Sequence, residues 1–372
     1  MAQTYQVTGL LSHKHNAADA AERLRRLWDR RYRDRICAHM NVSTGTLDRF
    51  AKTHEDGPTT YPDPHERIAF WDAHLHEGRH LEDDWLPIAY LSEFDQGVVG
   101  GALGEEMRYM MHKEVGWISS MCAPVMNDLS DCGILKIDPE AAAIKMMDEQ
   151  VRIFSDGARG RFGIAPFIII DSMNFVAEMR GMTRAFEDVI DHPEAVIRMM
   201  DFALEFNIFL QERVRRMTGG FMDGSFVNMG SWCQGNPILF SVDAYHMASP
   251  DFYYQWGVPH LQRILDHFGG GLLHVHSNGW HLLPHVVKLN HLKCVYFADE
   301  KWNPRAYDRL PELCSRAAGT PMIISCKYDE FVNDLDAHRI PGNILYDVQN
   351  VPSVEHGNRL MEKVRSYRSV DA

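Results

Sequence analysis

The stretch GGGLLHVHSNGWHLLPHVVKLNH, residues 269–291, decides how the chain is read. Three glycines lead into an apolar run that closes on His274-Val275-His276. Ser277-Asn278-Gly279 follows, a run of turn-forming residues in which glycine also permits close backbone approach. The pattern predicts a buried strand over 271–276 with two imidazoles at its C-terminal end. Side chains two apart on a strand point to the same side, so His274 and His276 share a face.

Working outward, similar short runs rich in β-branched and aromatic residues recur at 37–42, 85–91, 165–171, 224–230, 293–298, 321–326 and 343–348. Long helical patterns lie between them, at 139–154, 192–217, 249–268 and 307–318, with Pro139, Pro193 and Pro250 near their starts. Strands alternating with helices predict an α/β protein of the (β/α)8 TIM-barrel type. An open doubly wound sheet would want a glycine-rich phosphate turn after its first strand, and none is present. The expected organisation is a single domain over 1–372. Residues 1–36 form an N-terminal helical extension and 37–372 the barrel, with an insertion at 44–84.

The formal net charge of −13 repels phosphate backbones and argues against nucleic-acid partners. The basic stretch 21–35 carries Leu24, Leu27 and Trp28 at helical spacing and reads as an amphipathic helix packed on the barrel. Seven cysteines, Cys132 among them, are scattered without a CxxC pair, which fits free thiols in a reducing compartment. Neither a signal pattern nor a membrane-spanning run is seen, so a cytoplasmic enzyme is expected. The methionine-rich segment 107–126 reads as packing, and Cys326 as a buried thiol. GxSxG and P-loop motifs do not occur.

In a barrel the chemistry collects where strands end. His274 and His276 there suit a divalent metal such as zinc, with Glu300 after the following strand as the carboxylate that completes the set. Asp347 or Cys326 are further candidate ligands. The metal-free alternative makes one histidine a buried core residue and the other a general acid or base. His276, Asp171 and Asp347 are the candidate catalytic groups. Asn228, Trp232, Asp243, Arg180 and Tyr328 are the candidate substrate contacts. His281 and His285, four apart, read as surface or supporting residues.

Three stretches, APFIIIDSMNFVAEMRGMTRAFEDVIDHPEAV, ASPDFYYQWGVPHLQRILDHFGGGLLHVHSNG and YDVQNVPSVEHGNRLMEKVRSY, resemble the uroporphyrinogen decarboxylase superfamily over roughly residues 85–367. Its zinc-dependent corrinoid methyltransferases carry His-x-Cys-Gly at the end of strand five. His274 matches that histidine, His276 stands where the cysteine would be, and Glu300 matches a carboxylate after strand six. Their second cysteine has no counterpart; Asp347, Gln349 and Asn350 occupy that region. The Arg-x-Ala-Gly-Arg pattern that grips porphyrinogen carboxylates is also missing, which excludes uroporphyrinogen as substrate. The resemblance implies methyl transfer between a small oxygenated molecule and a corrinoid on a separate protein, with zinc, and a homodimer. The alternative is a metal-assisted lyase or decarboxylase acting on a small carboxylate or sugar-derived acid, with His276 as acid or base helped by Arg180 or Lys327.

Overall fold

The computed structural model describes residues 6–7, 11–129 and 135–369; Cys132 and the start of the expected helical extension lie outside them. In chain order the strands that position the site are β1 (Ile36–Val42), β2 (Ile88–Tyr90), β3 (Gly163–Ala165), β4 (Gly224–Val227), β5 (Ser231–Gln234), β6 (Ile238–Ser241), β7 (Gly271–His276), β8 (Leu292–Ala298), β9 (Met322–Lys327) and β10 (Ile344–Val351). The helices around them include α1 (Ala17–Trp28), α2 (Pro64–Glu77), α3 (Ala142–Ala158), α4 (Ser172–Arg180), α5 (Pro193–Thr218), α6 (Val258–Phe268), α7 (Leu310–Ala317), α8 (Tyr328–Asp336) and α9 (Val354–Ser366).

One parallel sheet runs β6-β7-β8-β9-β10-β1, and β2 and β3 form a separate parallel pair. The α/β class therefore holds. A continuous eight-stranded ladder is not formed among the described residues. At one junction a single residue bridges: Ile169 N donates to Leu239 O at 2.8 Å, and Ser241 N to Ile169 O at 3.1 Å. At the other, side chains stand in for a strand. Asp84 Oδ2 accepts from Ala38 N at 3.0 Å and Asp83 Oδ2 from Met40 N at 2.8 Å, which satisfies the open edge of β1. Lys14 and Arg23 pair with these buried carboxylates.

Alternation sorts the strand residues onto two faces. Leu273, Val275, Val295, Phe297, Ile324 and Tyr346 belong to the larger core, with Leu265 of α6, Leu313 of α7 and Phe331 of α8. Leu239, Leu272, Cys294, Ile323, Leu345 and Cys37 fill the opposite face. Each such apolar side chain contributes about 1.5–3 kcal/mol on leaving water. The second cluster is closed by Leu24, Leu27 and Trp28 of α1 and by Phe226, Val227 and Trp232 of the β4–β5 hairpin. Hairpin and helix therefore cover the N-terminal halves of the strands. The polar residues that continue the same face, His274 and His276 on β7 and Asp347 on β10, lie at the C-terminal ends.

The run 224–230 does not join the parallel series. Residues 224–227 pair antiparallel with 231–234 across a three-residue turn, in which Met229 takes φ 57°; Ser231, just after it, takes φ 62°. The parallel partner of β7 is instead β6, from PILFS, with Ser241 opposite His274. Both runs are short and β-rich, and only pairing separates them. No helix among the described residues is long and apolar enough to cross a membrane.

Candidate functional site

His274 is nearly fully buried at the end of β7, between Ser241 of β6 and Tyr296 of β8 in register. Burial, with the neighbouring His276 and His246 adding to it, pushes its pKa down to about 3, so the ring is neutral and keeps a lone pair. Its Nδ1 is buried without a hydrogen-bond partner. His276 lies on the same side, the two ring centroids 4.5 Å apart. Asp243 follows β6 by two residues and meets the pair: its Oδ1 is 3.9 Å from His276 Nε2 and has no hydrogen-bond partner. Burial raises the Asp243 pKa against the opposing effect of His276. Donor atoms of Asp243, His274 and His276 all fall within 4.8 Å of one another.

The carboxylate brought into this set is Asp243, not Glu300. Glu300 Oε1 sits 3.1 Å from His276 Nδ1, the nitrogen that does not face Asp243. The approach is not a hydrogen bond, since His276 Nδ1 is buried without a hydrogen-bond partner, and it leaves Nε2 toward the shared space. The sequence pattern does not mark Asp243 as a ligand, because it points to 224–230 as the fourth parallel strand. With β6 at 238–241, Ser241 falls on the face of His274 by alternation, and Asp243 opens the 3-10 turn just beyond it. His246 is a further neighbour that the sequence does not signal. Its Nδ1 is 3.8 Å from Asp243 Oδ1, and burial, then His276 and His281, take its pKa to about 4. It sits in a single 3-10 turn, which leaves no periodic signal. Gly279 makes room for it: a Cβ there would lie 2.2 Å from the imidazole.

The donor set fits a divalent ion. Two imidazoles, that of His274 neutral, and a carboxylate converge with orphaned buried atoms, an arrangement that costs stability unless a ligand satisfies it. The nitrogen and oxygen donors suit zinc in an open, three-residue site.

Behind it, Asp171 caps α4 by accepting from Met173 N at 2.8 Å and Asn174 N at 3.0 Å. Its other oxygen is buried and unpartnered. Burial, aided by the charge of Asp243, pushes its pKa up to about 8, so it carries a proton at neutral pH. Asn174 ties α4 to the ligand loop, donating to Ser241 Oγ at 3.0 Å and accepting from Ala244 N at 2.6 Å.

Asp347 lies elsewhere on the sheet, between β9 and β1. It accepts from His39 Nδ1 at 2.8 Å, Gln349 Nε2 at 2.7 Å, Ser325 Oγ at 3.0 Å and Asn41 Nδ2. These bonds, that of His39 foremost, hold its pKa below the ordinary carboxylate value despite burial.

The remaining candidates fall away from the histidines. Asn228 is buried in the hairpin turn, and Trp232 lies beneath α1, its Nε1 donating to Phe221 O at 2.9 Å. Both belong to the covered end of the sheet, because their run forms the hairpin and not the fourth parallel strand. Arg180 is buried and held by Asp188 at 2.7 Å and by Met126 O at 2.9 Å, so it is not a loose cation for gripping a carboxylate. Tyr328 opens α8 and rests edge-on against His356. His281 bonds backbone carbonyls and His285 bonds Tyr254, both near the surface. The six described cysteines are free, and burial pushes the Cys326 thiol up.

No protein-family model matches the sequence, and no curated protein matches it. Among solved structures, the fold is similar to a methyltransferase from Methanosarcina mazei, with a TM-score of 0.58 at 13% identity, over 93% of this chain and 98% of that one. The likeness is one of fold.

Proposed function

We propose that this protein is a metal-dependent methyltransferase of the uroporphyrinogen decarboxylase superfamily, moving a methyl group between a small oxygenated molecule and a corrinoid on a separate protein. The observation that carries the reading is the convergence of His274, His276 and Asp243 with buried, unpartnered donor atoms at the C-terminal edge of the sheet. The fold likeness to a methyltransferase supports it. In this reading the single-residue bridge at Ile169 and the carboxylates of Asp83 and Asp84 complete a (β/α)8 barrel, with the site at its mouth.

A divalent ion, zinc by its donors, would be held by His274, His276 and Asp243 and supply Lewis acidity toward a substrate oxygen. The set has no thiolate, which favours an oxygen-bearing methyl donor over a thiol. Glu300, 3.1 Å from His276 Nδ1, would add negative charge beside that ring. Asp171 keeps a proton close behind the site. The lyase alternative loses one of its two expected helpers, because Arg180 is committed to Asp188, and Lys327 is left as the other.

Elemental analysis of purified protein should find about one zinc per chain, lost in His274→Ala and Asp243→Ala. With zinc and reduced cobalamin, a methoxylated aromatic donor should yield methylcobalamin, followed by its visible spectrum. Protein that takes up no divalent metal, and whose unfolding temperature a chelator leaves unchanged, would overturn the reading.

A further inference from the structure

A second polar centre stands on the same sheet, independent of the metal reading. His39 projects from β1 on the face that carries Asp347, the two being register partners on adjacent strands. The Asp347 carboxylate can only accept, so the 2.8 Å contact makes Nδ1 of His39 the protonated nitrogen. In the neutral ring, Nε2 is then a lone-pair acceptor. It makes no hydrogen bond among the described residues and is not one of the buried unpartnered atoms, so it stays accessible. The ring is locked in place. Trp85 stacks on it with centroids 4.3 Å apart and planes 15° from parallel. The other three donors on Asp347 fix the carboxylate from β9, β10 and β1.

His39 lines a cavity of about 530 Å3. Leu75, Pro352 and Val354 give the cavity an apolar wall, and Asn41 and Trp85 flank His39. Its charged lining is acidic apart from Lys14, which Asp83 already pairs. The lining offers an entering anion no free cation: Lys14 is taken by Asp83, and Glu355 and Glu77 are already engaged, by Arg359 and by the Gly45 and Thr46 amides. A neutral molecule with one hydroxyl and an apolar body meets complementary groups on both sides.

We propose that His39, held by Asp347 and Trp85, is the hydrogen-bond acceptor of a binding site for a small neutral alcohol or phenol in this cavity. The hydroxyl donates to Nε2, and the apolar body lies along Leu75, Pro352 and Val354. No bond is broken in this step.

The test uses metal-free, full-length protein with 15N-labelled histidine at pH 8, so failure of the metal reading leaves it unaffected. Phenol is the probe. Anisole, which has no hydroxyl, and benzoate, which is charged, are the controls. Phenol should move the His39 Nε2 resonance in the direction of an accepted hydrogen bond and leave Nδ1 protonated; anisole and benzoate should not. In His39→Leu, phenol binding should weaken by about three- to tenfold, the worth of one neutral hydrogen bond. The wild-type spectra decide the matter even if that variant folds poorly. An unmoved Nε2 with phenol, equal binding of anisole, or tighter binding of benzoate would each overturn the proposal.

Discussion

The tails of β7 and β10 belong to the same parallel sheet and present ionisable groups on the same face, yet they solve opposite problems. At β7 the acceptors outnumber the donors: His274 Nδ1 and Asp243 Oδ1 are buried with nothing to bond. At β10 one carboxylate collects four donors from three strands. The first is left incomplete by the chain's own groups; the second is complete in itself and holds His39 rigid. Buried polar groups on two tails of one sheet, with β8 and β9 between them, are thus left open in one place and preorganised in the other.

The sharpest way to break this contrast is to remove one carboxylate from each tail and compare metal-free stabilities. Asp347→Ala strands four donors and should destabilise by about 3–5 kcal/mol in denaturant unfolding. Asp243→Ala removes an unsatisfied buried acceptor and should change stability by less than about 1 kcal/mol. Equal losses would mean that the two tails do not differ in kind. In acid the Asp347 contribution has a definite sign. Its folded pKa lies below the ordinary value, so its stabilisation is present at neutral pH and fades as pH falls through the folded value.

Asp171 titrates in the reverse sense. Its pKa rises from 3.8 to about 8 on folding, so its stabilising effect is full below the unfolded value and is lost as pH climbs toward 8. By linkage each pKa unit of that rise is worth about 1.4 kcal/mol over the range in which the group titrates. Asp171→Asn keeps the cap on α4 and should flatten the stability profile across the acid-to-neutral range. A profile unchanged by the substitution would place the proton elsewhere, with Glu178, also near 8 by burial and the charge of Asp171, as its holder.

What could be read without coordinates follows from range. GLLHVH is a strand by local alternation alone, and β7 runs from Gly271 to His276 as expected. The shared face of His274 and His276 follows from the same period. Choosing between GSFVNMG and PILFSVD for the next parallel strand needs pairing information, because a three-residue turn folds the first run back on itself. That one ambiguity groups Asn228 and Trp232 with the histidines, whereas the hairpin holds them at the other end of the sheet, and hides that Asp243 lies beside His274 and His276. The grip of Asp347 is equally out of reach, since its donors at 39, 41, 325 and 349 meet only once β9, β10 and β1 are in register.

Two smaller changes sharpen the β7 side. Gly279→Ala places a methyl 2.2 Å from the His246 ring, so the imidazole must shift. Overpacking of this kind should lower stability by about 1–2 kcal/mol in thermal unfolding and loosen zinc with it. Glu300→Gln is the gentlest probe. The amide keeps the bulk of the side chain beside His276 Nδ1, 3.1 Å away in the native chain, but its negative charge is gone. Zinc affinity, measured by competition with a chromogenic chelator, should fall by about tenfold, or 1.4 kcal/mol, while metal-free stability stays put because Glu300 is exposed. Loss of all zinc in this variant would make Glu300 a ligand in its own right and shift the centre of the site from β6 toward β8. An unchanged affinity would leave His276 oriented by packing alone.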